Sequence, residues 1–252
     1  MLTVAIYQKT TGPTYPVRGK TNIDGQTIKY KLLRTYGGDD DAKIEIEIPE
    51  TSVNGVFKYR RFKSFDEWTE KIMIREGDNL VSFIPHQAPA GKVMYEITLQ
   101  KNGKDYKLTD EAVILRFKGY VPIYILYPHI FFMFIAMVFA LRTGLEVIIK
   151  GKNAYNYTLI TTICLFIGGL ILGPIVQKFA FNAFWTGWPW GHDLTDNKTI
   201  VAFIFWLIAL IRLIKKKEKR GWALIASIVL LAIYLVPHSV LGSEIDYTQL
   251  VE

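Results

Sequence analysis

The chain has 252 residues, half of them hydrophobic, and a formal net charge of +7. A single cysteine, Cys164, excludes an intramolecular disulfide and any metal or haem attachment motif that needs paired cysteines. Much of the positive charge lies in short loops beside apolar segments. It therefore indicates membrane topology and contact with anionic lipid headgroups, and it argues against nucleic acid as a partner.

Residues 1–16 precede the first predicted strand and begin with a short apolar run, Met1–Tyr7. The run is too short for the core of a signal peptide, and no basic segment stands before it. We expect it to be the outer end of a truncated signal-anchor helix that starts before Met1. The alternative is that the first transmembrane run exports the domain that precedes it.

Residues 17–118 read as short strands separated by turns. The sequence Lys43–Ile48 alternates strictly between isoleucine and charged residues, which is typical of a strand with one buried face and one wet face. The strands predicted from such alternation are Thr27–Arg34, Lys43–Ile48, Val56–Phe62, Lys92–Lys101 and Asp105–Phe117. Their number and spacing predict an antiparallel β-sandwich domain.

Two Asn-Gly pairs, at Asn54 and Asn102, stand between predicted strands. Asn-Gly favours the two-residue turn of a β-hairpin, so we predict a hairpin at each pair. The segment Phe65–Ile74 fits either a short helical insertion or a bent strand.

The stretch Ala88–Leu99 reads as a turn followed by a strand with a tyrosine, Tyr95, near its start. It resembles the corner that leads into the penultimate strand of immunoglobulin-like and fibronectin-like domains. The resemblance covers about 30 residues and implies an immunoglobulin-like sandwich. It implies nothing about chemistry, since one fold hosts many functions.

Residues 119–242 contain four apolar runs without acidic residues in their centres. Their lengths predict four transmembrane helices, at about 120–143, 157–180, 198–214 and 221–240. The chain is thus predicted to be an α+β membrane protein in which an outward β-sandwich is followed by a four-helix transmembrane bundle. Gly168-Gly169 and Gly173-Pro174 predict close packing and a kink in the second helix, and Arg142 is predicted to pair with Glu146.

The basic residues around these runs are unevenly distributed. Nine lie in the loops after the first and third runs, whereas the loop between the second and third carries only Lys178 and Lys198. Because basic loops stay in the cytoplasm, residues 1–118, the loop around 182–197 and the tail 243–252 are predicted to face outward. We expect a multi-pass protein of a bacterial inner membrane.

Three of the four histidines fall at the predicted outer face, with acidic residues at the same level. Imidazole and carboxylate groups bind zinc, copper or iron, and a histidine pair also ligates haem. The candidate ligands are His129, His192, His238, Asp193 and Asp196. The simpler interpretation is that the histidines are interfacial amphipathic side chains and that no cofactor is bound. The spacing matches no metal-binding motif.

The segment Asn182–Asn197 contains three tryptophans, Trp185, Trp188 and Trp190. Tryptophan is enriched at interface hot spots, so these side chains are candidates for binding a partner subunit. Asp196 or Asn197 is expected to cap the following helix, and a cation site at Asp193 and Asp196 is the alternative.

The sequence contains no nucleotide-binding loop, serine nucleophile motif or pair of catalytic carboxylates. It also lacks a chain of acidic residues across the predicted membrane, as a proton pump would need. These features favour a non-catalytic membrane subunit or assembly factor that presents the β-sandwich and the Trp-rich loop to a larger complex. The alternative is a redox or metal enzyme subunit with an outer-face site near His129, His192 and His238.

Overall fold

The computed structural model is an α+β protein and describes residues 6–7, 10–216, 218–236 and 242–249. The chain separates into two compact units. The β unit contains residues 14–120 together with the described part of the tail, 244–249. The helical unit contains the described residues among 121–243 and among 6–13.

The β unit contains short strands that form three sheets. Strands β3, β11, β9, β5 and β6 form the largest sheet in that order, with β10 paired to β9. Strands β1 and β2 form a hairpin, and β4, β8 and β7 form a third sheet. The strands are β1 Val17–Ile23, β2 Gln26–Leu32, β3 Thr35–Tyr36, β4 Ala42–Glu47, β5 Asn54–Arg61, β6 Thr69–Ile72, β7 Ile74–Glu76, β8 Asn79–Ile84, β9 Lys92–Lys101, β10 Lys104–Lys107 and β11 Val113–Phe117.

One apolar core holds these sheets together. Ile46 of β4, Phe57 of β5 and Leu99 of β9 are buried in it, although they come from two different sheets. The alternation of β4 is as predicted, because Ile44 and Ile46 are buried while Lys43, Glu45 and Glu47 are exposed. All strand pairs are antiparallel except β3 with β11, which is parallel.

The two predicted hairpins have different outcomes. Asn102 and Gly103 form a two-residue turn between β9 and β10, with φ of 51° and 74°, so this prediction is confirmed. The prediction at Asn54-Gly55 is wrong, because both residues lie inside β5 and β4 pairs with β8 instead. Gly55 leaves room for Met73, since a Cβ at this position would lie 2.7 Å from the sulfur of Met73.

The segment Phe65–Ile74 is a bent strand and contains no helix. Its two parts, β6 and β7, belong to different sheets, and the buried residue Met73 lies at the bend. The predicted last strand, Asp105–Phe117, is also divided, into β10 and β11.

Tyr95 is fully buried in the middle of β9, and burial raises the pKa of its hydroxyl group. That hydroxyl donates a hydrogen bond of 2.8 Å to the carbonyl of Leu33. In the immunoglobulin corner, the tyrosine bonds to the backbone only a few residues upstream. Here the partner is 62 residues upstream, so Tyr95 joins β9 to the end of β2.

The described part of the tail packs on the β unit. The carboxylate of Glu244 pairs with Lys63 and, at 2.5 Å, with Lys92. Burial opposes ionisation of this group, but its hydrogen bonds to the two ammonium groups lower the pKa of Glu244 below the ordinary value. The ring of Tyr247 lies under the guanidinium of Arg61, and its hydroxyl donates to Gln87.

Among the described residues, three helices are long and apolar enough to cross a membrane: Ile123–Ile148, Ala154–Phe181 and Leu194–Lys215. We name the first α1. The second comprises α2 (Ala154–Leu165), a π-helical turn (Phe166–Leu172) and α3 (Gly173–Phe181). The third is α4, and a shorter apolar helix, α5, spans Gly221–Leu235. These lengths indicate association with a membrane.

Small and polar residues allow the helices to pack closely. Ser227 of α5 donates a 2.6 Å hydrogen bond to the carbonyl of Ala140 in α1, and a Cβ at Gly144 would lie 3.2 Å from the same serine. The predicted ion pair between Arg142 and Glu146 is present at 2.7 Å, and Glu146 is buried. The π-helical turn contains the predicted Gly168-Gly169 pair.

Candidate functional site

We define the Trp loop as residues 182–193, which join α3 to α4. Asn182 begins it in the left-handed conformation, with φ of 59°, which asparagine tolerates better than most residues. Its amide donates to the carbonyl of Lys178, and its side chain accepts a 2.9 Å hydrogen bond from the ammonium group of Lys178. The end of α3 is therefore fixed by neighbouring residues.

Asp193 ends the loop and caps α4. Its carboxylate accepts a hydrogen bond of 2.8 Å from the amide of Thr195, in the first turn of the helix. The prediction that Asp196 or Asn197 is the cap is wrong, because α4 begins at Leu194, earlier than the predicted start at 198. The apolar pattern begins later than the helix, since the first turn of α4 is polar.

A buried polar network holds the inside of the loop. The Asp193 carboxylate accepts two hydrogen bonds of 2.9 Å from Ser243, one from its amide and one from its hydroxyl. Asp196 accepts from the amide of Thr186 at 2.7 Å and from the side chain of Gln177 at 3.1 Å. Thr186 and Ser243 also join through their hydroxyl groups at 2.7 Å. Both carboxylates are only 7% exposed, so these donors substitute for the water that is lost on burial.

A second set of contacts fixes the outside of the loop. The side-chain oxygen of Asn197 accepts a 2.6 Å hydrogen bond from the amide of Trp188. The indole of Trp185 donates to the carbonyl of Trp188 at 3.1 Å. Gly187 lies against α4 so closely that a Cβ there would be 2.6 Å from the Cβ of Asp196. The loop backbone thus has one defined path over the beginning of α4.

Two of the three predicted partner-binding tryptophans project from this fixed backbone. Trp188 is 73% exposed and Trp190 is 81% exposed, whereas Trp185 is half-buried. The nearby ring of Phe184 is also exposed. An exposed indole is costly in water, so a fixed loop that carries two of them is suited to an apolar or interfacial contact.

The predicted metal ligands lie in separate environments. His129 uses its Nδ1 to donate a 2.9 Å hydrogen bond to the carbonyl of Gly168, and His192 is exposed. His238 lies outside the described residues. Asp193 and Asp196 take part in the network described above. Among the residues that the structure describes, no three His, Cys, Asp or Glu side chains gather as a metal centre requires.

Three members of the network, Gln177, Thr186 and Ser243, are not among the candidates that the sequence suggests. Thr186 has a weak signal, because it lies between two tryptophans beside Gly187 in an otherwise aromatic segment. Ser243 has none, because it is 50 residues from Asp193, its main partner.

No family model matches this sequence, and no curated protein matches it. Among solved structures, the chain is similar to the "Br derivative BhCBM56" at 11% sequence identity and a TM-score of 0.25. The match covers 41% of this chain and 92% of that one.

Proposed function

We propose that this protein is a non-catalytic membrane subunit or assembly factor that binds another membrane-protein subunit through the Trp loop. The observation that carries this proposal is the exposure of Trp188 and Trp190 on a loop whose backbone is fixed by hydrogen bonds to Asp196 and Asn197. The β unit provides a second folded surface of the same protein.

Preorganisation of the Trp loop lowers the free-energy cost of binding a partner. A flexible loop loses conformational entropy when it binds, and each ordered side chain adds to that cost. In the Trp loop, the bonds of Asp196 to Thr186 and of Asn197 to Trp188 fix the backbone before any partner arrives. Burial of a tryptophan on a partner then contributes mainly favourable apolar contact, which explains its frequency at hot spots.

We infer that the helical unit is a four-helix transmembrane bundle and that the β unit is an outward, immunoglobulin-like sandwich in a bacterial inner membrane. The distribution of basic residues supports this orientation, since Arg212, Lys215, Lys216 and Lys219 follow the third apolar run. In this arrangement, α5 crosses the membrane with the help of the residues that flank it. The Trp loop and residue 243 then face outward.

Reporter fusions test the orientation. A reporter that is active only outside the cytoplasm is expected to work after Gly242. The basic loop before α5 stays in the cytoplasm, so the residues after α5 lie on the opposite side of the membrane. A reporter that is active only in the cytoplasm is expected to work after Lys217. The opposite pattern of reporter activity would show that all four helices have the opposite orientation.

Affinity purification in a mild detergent tests the function. The wild-type protein is expected to retain a partner polypeptide in fixed stoichiometry. The double variant Trp188→Ala/Trp190→Ala is expected to lose at least about 90% of it, because two hot-spot side chains together contribute several kcal/mol. Quantitative mass spectrometry of the eluates measures the loss.

Phe65→Ala is the matched control, since Phe65 is an exposed aromatic residue of the β unit with 80% exposure. This variant should retain the partner at the wild-type level. Equal retention by the wild type and the double tryptophan variant would contradict binding of the partner through the Trp loop.

A further inference from the structure

Four basic side chains share the outer face of the β1–β2 hairpin. The register places Arg18 directly opposite Lys31, and Lys20 directly opposite Lys29. All four are exposed, whereas Ile28 on the other face is buried in the core. Like charges directly opposite each other in a sheet are destabilising, so this arrangement costs the free protein stability.

These four cations have no direct ionic partner among the described residues. None of the four forms an ion pair there, although many other lysines of the β unit do. Lys43, on the neighbouring strand β4, lies 3.0 Å from Glu76 and 3.3 Å from Glu45. The four hairpin cations therefore differ from Lys43 in having no carboxylate within ion-pair distance among the described residues.

The same four residues line a cleft of about 1050 Å³ between the hairpin and β4. The opposite wall carries acidic residues, including Glu47 and Asp78. This volume is at the upper end of the range for small-molecule sites. The basic wall and the acidic wall form no ion pair with each other among the described residues.

The hairpin is held in place beside this cleft. The hydroxyl of Tyr30 donates a hydrogen bond to the carbonyl of Leu108, which joins β2 to the segment between β10 and β11. Gly19 makes room for this ring, because a Cβ there would lie 2.1 Å from the Tyr30 oxygen. The four cations therefore project from a backbone that is already positioned.

We propose that this cleft binds a polyanionic ligand with several phosphate or sulfate groups along the basic face of the hairpin. Side chains two residues apart on a strand are separated by about 6.6 Å, and those directly opposite by about 5 Å. A ligand with linked oxyanion groups spans such distances, whereas a single anion contacts one pair. Its charges relieve the repulsion within both cross-strand pairs.

Calorimetric titration of the full-length protein with tripolyphosphate, in neutral detergent micelles at low salt, tests the proposal. The wild type is expected to bind saturably, with affinity that falls as salt is raised. Lys20→Gln/Lys29→Gln should weaken binding by about tenfold or more, because it removes two charge-assisted contacts. Glu47→Gln should strengthen binding, because it removes from the opposite wall a negative charge that repels the anionic ligand.

The control is Lys104→Gln/Lys107→Gln, which removes two exposed lysines of β10 and leaves the hairpin intact. It should bind as the wild type does. Thermal melting gives a second readout. Without ligand, Lys20→Gln/Lys29→Gln should melt above the wild type. Tripolyphosphate should raise the melting temperature of the wild type and of Lys104→Gln/Lys107→Gln more than that of Lys20→Gln/Lys29→Gln.

The source of the anion is decided by a second arm, in which phosphatidylglycerol or phosphatidylcholine is added to the micelles. Displacement of tripolyphosphate by phosphatidylglycerol but not by phosphatidylcholine supports the proposal with an array of anionic lipid headgroups as the ligand. No displacement, with tripolyphosphate bound, supports it with a soluble anion. Absence of saturable tripolyphosphate binding to the wild type, or equal weakening by both double variants, overturns the proposal.

Discussion

Replacing Ile46 with alanine is expected to lower the free energy of unfolding of the β unit by about 2–5 kcal/mol. The side chain is 2% exposed and faces the core from β4, directly opposite Leu80 of β8. The substitution removes apolar contacts and leaves a cavity, since interiors relax only partly. Amide hydrogen exchange of β8, measured in the full-length protein, should accelerate by at least about 30-fold, because each 1.4 kcal/mol is a factor of ten.

Glu47→Ala is the matched control, because Glu47 is the next residue on the same strand and its side chain is exposed. Its effect on stability is expected to stay within about 0.5 kcal/mol. If the two variants accelerate exchange equally, the alternation of β4 does not define a buried and a wet face.

Replacing Asp193 with alanine is expected to destabilise the Trp loop and the beginning of α4 by about 2–4 kcal/mol. The change removes the helix cap at Thr195 and the acceptor of both hydrogen bonds from Ser243. Loss of the cap alone costs about 0.5–2 kcal/mol, and donors that lose a buried acceptor add to that cost. Hydrogen exchange of residues 182–199 should therefore accelerate strongly.

His192→Ala provides the control for Asp193→Ala, because His192 is adjacent in sequence but exposed. It should leave exchange in the loop unchanged. A second comparison is Asp193→Asn, which keeps an acceptor oxygen and should retain part of the protection. If Asp193→Ala leaves the loop protected, the hydrogen bonds of Asp193 do not fix its backbone.

The sequence predicts the strands well where side chains alternate and predicts their partners poorly. Lys92–Lys101 and the turn at Asn102-Gly103 are local features, since the turn and both of its strands are adjacent in sequence. Asn54-Gly55 has the same turn chemistry, but β4 and β5 lie in different sheets, so tertiary packing overrides the local preference. A two-residue motif such as Asn-Gly does not indicate which sheet the strands on either side of it join.

The candidate site also combines local features that the sequence predicts with long-range contacts that it does not predict. The three tryptophans of the loop are visible in the sequence, and the structure exposes Trp188 and Trp190, whereas partner binding stays a prediction. The network that fixes them could not be predicted, since Gln177, Thr186 and Ser243 come from three separate segments. Polar residues brought together only by folding leave no periodic pattern in a single sequence.

Photo-crosslinking in intact membranes tests whether the Trp loop binds another protein subunit. A photoreactive amino acid placed at Trp190 is expected to give one discrete crosslinked band that contains a second polypeptide. The same residue placed at Phe65, on the β unit, should not give that band. Crosslinking of the Trp190 position to lipid alone, with no protein product, would contradict the proposed function.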